Sequence, residues 1–118
     1  MNASAQEYFQ QEVNYRINVN LNDQTHTLNG YLDIDYTNNS NDILDVIWFH
    51  LWPNAYKNNS TALAKQILEE GSTKLLYSSE LERGYIDDLD FKVNGDSVNW
   101  SYHPEHIDIC KLILNKPL

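Results

Sequence analysis

His103, Glu105, His106 and Asp108 form the densest group of side chains able to ligate a metal, around the segment His103-Pro104-Glu105-His106. Zinc peptidases present H-E-x-x-H on a helix, because residues four apart share a face and both imidazoles then reach one ion. Here the histidines are three apart with Pro104 between them, in a stretch that reads as strand and turn. A solvated turn is the simpler reading, and metal binding is its rival. His26 is expected in an exposed loop and His50 on a buried strand, each as a hydrogen-bonded structural group.

Carboxylates recur as Asp33 with Asp35, Glu80 with Glu82, and Asp87 with Asp88 and Asp90. Such groups serve glycoside hydrolysis or calcium when they converge across a cleft or follow a ligand loop of fixed spacing, and no EF-hand pattern occurs. Solvated strand faces are the expected setting. Neither a G-x-S-x-G nucleophile turn nor a glycine-rich phosphate loop is present. Cys110, the sole cysteine, excludes an intrachain disulfide and a Cys-rich zinc site, and its apolar surroundings suit an inert buried thiol.

The most distinctive stretch is Trp48-Phe49-His50-Leu51-Trp52-Pro53-Asn54-Ala55-Tyr56. It reads either as sheet core with a tight exit turn or as a docking or carbohydrate-stacking surface, since exposed Trp and Tyr are favoured at both. From the residues alone the core reading leads.

The elements that must position these groups are mostly strands. Val13, Tyr15, Ile17, Val19 and Leu21 alternate with polar residues, as do Leu28, Gly30, Leu32, Ile34 and Tyr36, which predicts an antiparallel hairpin with one buried and one wet face. Residues 43–52 are apolar on both parities, which predicts a central strand covered on both faces and ended by Pro53. Between Ser60 as N-cap and Gly71 as stop, Leu63, Ala64, Ile67 and Leu68 fall at helical spacing, so one short helix is expected at about 60–71. Leu75–Tyr77 reads as a brief strand and 79–84 as a loop. Ile86 to Val93, the turn Asn94-Gly95, and Val98 to Tyr102 read as a second hairpin. Ile107 to Leu114 reads as a last apolar strand that leaves an edge or face uncovered, as in a chain cut short. The fold class expected is therefore mostly β and antiparallel, saddle- or sandwich-like, with residues 8–118 as a single domain.

Composition bounds the function. The 118 residues carry 17 acidic and 8 basic groups, a net charge of −9 with no basic cluster, so a phosphate backbone would be repelled and nucleic-acid binding is not expected. The longest apolar run, Val46 to Phe49, falls far short of the ~20 residues of a spanning helix, so no membrane span is expected. Ala3-Ser4-Ala5 before Gln6 reads like the end of a secretory signal, making residues 1–7 a post-signal terminus; a frayed terminus is the alternative. The first reading implies an exported protein, periplasmic, cell-surface or extracellular.

Two blocks carry a resemblance: Gly30-Tyr31-Leu32-Asp33-Ile34-Asp35-Tyr36-Thr37-Asn38-Asn39-Ser40, and Leu44-Asp45-Val46-Ile47 running into Trp48-Phe49-His50-Leu51-Trp52-Pro53-Asn54-Ala55-Tyr56. Together with Tyr15–Leu21 and His106–Leu114 they resemble the N-terminal domain of bacterial zinc metallopeptidases of the aminopeptidase N (gluzincin) family. The resemblance implies a saddle-shaped β domain that packs on a thermolysin-like catalytic domain of the same parent chain. It also implies a parent that trims peptide N-termini with a zinc ion held by H-E-x-x-H and a downstream Glu. The chain has neither H-E-x-x-H nor G-x-M-E-N, so no catalytic, cofactor or zinc residue carries over, and zinc is expected in the catalytic domain alone. The expected role is a noncatalytic scaffold, with Trp48, Trp52 and Tyr56 at the docking surface. The alternative is an independent β-sandwich binding module for glycans.

Overall fold

The strict alternation of residues 13–21 and 28–36 produces a long hairpin of two antiparallel strands, β1 (Glu12–Asn22) and β2 (Thr27–Thr37). The computed structural model describes residues 8–118, so the expectations for residues 1–7 lie outside the described residues. The register sets Tyr15 opposite Ile34, Ile17 opposite Leu32, Val19 opposite Gly30 and Leu21 opposite Leu28. Directly opposed residues share a face, so the apolar positions of both strands fall on one side. That side is exposed or half-buried and not the buried face expected from the alternation, because a two-stranded ribbon brings no second layer of its own. On the other side Arg16 lies 3.1 Å from Asp33 and 2.9 Å from Asp35. The hydrogen bonds that Arg16 donates to Asp35 and to Asp33 raise its pKa above the ordinary value.

The hairpin loop closes where Asn22 Oδ1 accepts from the backbone N–H groups of Gln24 and Thr25, and His26 takes a positive φ of 54° in an exposed position. At the open end Asn38 gathers the chain: its Oδ1 accepts from Gln11 Nε2 and Ser40, and its Nδ2 donates to the carbonyls of Asp42 and Leu118. By internal contacts this hairpin, the residues to Leu44 and Leu118 make one unit, and Asp45–Pro117 makes a second.

The second unit is built on a three-stranded antiparallel sheet of β3 (Val46–His50), β6 (Asn99–Tyr102) and β7 (Ile109–Ile113), in the order β3-β7-β6. This order corrects two expectations drawn from the sequence. The last strand is the middle of the sheet, so of the uncovered edge or face expected of it only the face remains, and residues 46–50 are an edge strand rather than a central one. On one parity of β3 Trp48 and His50 are exposed, while on the other Ile47 pairs with Leu112 and Phe49 with Cys110 across the ladder. On that side Leu51, Val98, Cys110 and Leu112 form the core, with Phe49, Ile86, Leu89, Phe91, Val93 and Trp100 packed against them. Phe91 meets Trp100 edge-on at 5.3 Å, and Trp100 meets Tyr102 in the same way.

The cover over that core is mostly irregular backbone. Within 86–102, only Lys92–Val93 (β4) and Asp96–Ser97 (β5) pair, around Asn94 and Gly95 with φ of 51° and 84°. Positive φ at both central residues is the type I′ geometry that the Asn-Gly pair was expected to adopt. Leu75–Tyr77 is a turn and not a strand, because Ser78 N–H bonds back to Leu75 O and Tyr77 N–H to Thr73 O, leaving no extended run.

The expected helix forms as α1 (Ala62–Glu69). Its N-cap is Thr61, one residue after the predicted Ser60, and Thr61 Oγ1 accepts from Ala64 N–H at 3.1 Å. Gly71 ends it with φ of 93°, while Ser72 N–H reaches Ile67 O and Gly71 N–H reaches Leu68 O, the paired bonds of a Schellman stop. The described chain is thus mostly β with antiparallel pairing throughout, one α-helix and no closed barrel among the described residues.

Candidate functional site

The ladder that buries Phe49 and Cys110 puts Val46, Trp48 and His50 of β3, with Ile109, Lys111 and Ile113 of β7, on the opposite face of the sheet. That face is open. Trp48 is 52% exposed and Trp52, in the 3-10 turn Trp52–Tyr56, is 67% exposed, so neither is a core residue, and the leading expectation for this run is corrected. His50 is exposed too, against the expected buried setting, and its ring stacks on Trp52 at 4.8 Å and 15°.

Rings continue across the same surface. Trp48 lies 5.8 Å from His103, His103 lies 4.9 Å from His106, and Lys111, directly opposite Trp48 in the ladder, holds its Nζ 5.5 Å above the Trp48 ring. A cation over an indole is attracted by the ring quadrupole. The β6–β7 connection positions the two imidazoles: His103 N–H donates to Ile109 O, Ile109 N–H donates to His106 O, and Glu105 N–H donates to His103 Nδ1. Of the four possible ligands His103, Glu105, His106 and Asp108, the two histidines come together, and no cluster of three or more His, Cys, Asp or Glu is placed to hold a metal among the described residues.

Tyr56 closes the turn that Trp52 opens; it is 46% exposed and shares no ring contact with either tryptophan. What fixes this turn is a residue that sequence reasoning missed. Asn54, 2% exposed, donates from Nδ2 to Ile107 O at 3.1 Å and accepts at Oδ1 from Ile86 N–H at 2.9 Å, tying three segments together. Thr61 Oγ1 donates to Ala55 O and joins α1 to the same turn. An Asn directly after Trp-Pro carries no periodic signal; its signal is the need of irregular buried backbone for polar partners.

The remaining candidates are quiet. Cys110 is fully buried and burial pushes its thiol pKa up, only partly opposed by a backbone hydrogen bond from Phe49, the setting of an unreactive thiol. Asp87, Asp88 and Asp90 stand outside the buried core. Ser79 N–H and Oγ donate to Glu82, which lowers the Glu82 pKa and makes this pair a capping box. A depression lined by Lys57, Asn59 and Arg83 is braced internally, since Arg83 Nη2 donates to Asn59 Oδ1 and Leu75 O.

No helix is long and apolar enough to cross a membrane among the described residues. No protein family, curated protein or solved structure matches the chain.

Proposed function

We propose that this chain is a noncatalytic scaffold domain of an exported, aminopeptidase-like zinc metallopeptidase, and that it packs on the catalytic domain through the open face of the β3-β7-β6 sheet. The observation that carries the reading is the exposure of Trp48 and Trp52 on that face. Exposed indoles on a folded sheet are the residue type that anchors interfaces when buried by a partner. The motif resemblance supplies the identity of the partner, and the zinc and the peptide substrate belong to that neighbouring domain.

The test is to express the complete reading frame that contains these residues and to compare it with the 118-residue chain. The frame's product is expected to bind zinc and cleave an aminoacyl substrate, and Trp48→Ala with Trp52→Ala is expected to loosen the two domains, seen as earlier melting of the catalytic part. A frame that encodes no zinc-binding domain overturns the proposal. The second reading, a glycan-binding module, draws on the same exposed indoles and on the flat His50–Trp52 stack. It predicts quenching of tryptophan fluorescence by oligosaccharides in the 118-residue chain itself, which the scaffold reading does not.

A further inference from the structure

On the open face of the β3-β7-β6 sheet, Lys111 stands half-buried in the middle strand, opposite Trp48 on one side and Ser101 on the other. It is the only Lys, Arg, Asp or Glu in the three strands, although the chain holds 17 acidic residues. We propose, resting on the scaffold reading above, that the catalytic domain covers this face with an acidic surface and sets an Asp or Glu carboxylate against the Lys111 ammonium.

Charge decides the occupant. Among the described residues the cation that carboxylates hold is Arg16, whereas Lys111 is ion-paired to none; Glu105 and Asp108, the acids of the β6–β7 connection, do not pair with it. Its Nζ instead lies 5.5 Å from the centroid of the Trp48 ring, so a partner that buries the indole also covers the ammonium. The ring quadrupole attracts the cation but does not replace its lost hydration, and an ammonium covered without an anion is strongly destabilising. An apolar cover is thereby rejected and a carboxylate accepted. The neighbouring polar group points the same way. His103 lies 5.8 Å from Trp48, and because its Nδ1 accepts from Glu105 N–H, the ring proton sits on Nε2 and offers a further donor to an acceptor-rich partner. Elsewhere the net charge of −9 repels an acidic surface, so the attraction is confined to this face and orients the docking.

Zero-length cross-linking of the complete reading frame's product tests this. A carbodiimide activates a carboxyl group, and an amine in ion-pair range then displaces the activating group as a urea and leaves an amide bond. Peptide mass spectrometry is expected to find Lys111 joined to an Asp or Glu outside the 118 residues. In the same product Lys111→Glu should lower the melting midpoint of the catalytic part by about 4 °C or more and Lys111→Met by less, while Lys111→Arg, which keeps the charge but cannot form the cross-link, should hold it. Oxidative footprinting of Trp48 and Trp52 separates the two ways of failing. Protected indoles with no Lys111 cross-link beyond the 118 residues, or with Lys111→Glu melting as the parent does, overturn the acidic partner and leave the scaffold reading standing. Unprotected indoles, or a frame that encodes no further domain, overturn both.

Discussion

The hairpin of β1 and β2 and the sheet of β3, β7 and β6 use the same strand chemistry and reach opposite ends. Among the described residues all the buried hydrophobic ones, from Leu51 to Leu114, belong to the second unit, whereas the apolar side of the hairpin is exposed or half-buried. The difference lies in the backbone available to cover each set of strands. The second unit has an irregular stretch, Ile86 to Val93, that folds over one side of its sheet and is pinned by Asn54; the hairpin's neighbours in its own unit are the polar turn organised by Asn38. Alternation therefore makes a strand two-faced, and burial requires a second layer.

The sharpest way to break this contrast is inside the covered core. Leu112→Ala, at a residue 4% exposed in the middle strand, should cost about 2–5 kcal/mol and lower the melting of the second unit, whereas Leu28→Ala in the hairpin should change melting little. Asn54→Leu should come next, at about 2–4 kcal/mol, because it strands Ile86 N–H and Ile107 O without partners. Thr61→Ala removes the cap of α1 and should cost about 1 kcal/mol, read as lost helical signal at the onset of unfolding.

The smallest effect is electrostatic. The Glu82 carboxylate, held below its ordinary pKa by its bonds to Ser79, favours the 79–83 turn at pH values above the ordinary glutamate range. Because the folded-state pKa is the lower one, that contribution fades as pH falls through it. The Ser79 amide resonance should therefore titrate at lower pH than an unperturbed glutamate, and Glu82→Gln should flatten the titration.

Legibility in the residues divides along the same line. The hairpin, α1 with its Gly71 stop and the Asn94-Gly95 turn were legible, because each rests on local periodicity or on a residue suited to a positive φ. Strand order was not. Residues 43–52 have apolar groups on both parities, and that pattern is shared by a central strand and by an edge strand whose outer face carries exposed aromatic side chains. Trp48, Trp52 and Tyr56 were thus legible as a candidate set, while the stacking of His50 on Trp52 and the approach of His103 and Lys111 to Trp48 depend on the pairing of β3 with β7, elements far apart in the chain.

At the centre stands the proposal that this chain serves a zinc peptidase as scaffold and performs no hydrolysis itself. Zinc content and cleavage of a chromogenic aminoacyl substrate, measured side by side on the 118-residue chain and on the product of the complete reading frame, test it most directly. Stoichiometric zinc and cleavage are expected in the longer product only. Stoichiometric zinc with hydrolysis by the 118-residue chain would contradict the scaffold role, and would make His103, Glu105, His106 and Asp108 the residues to substitute first.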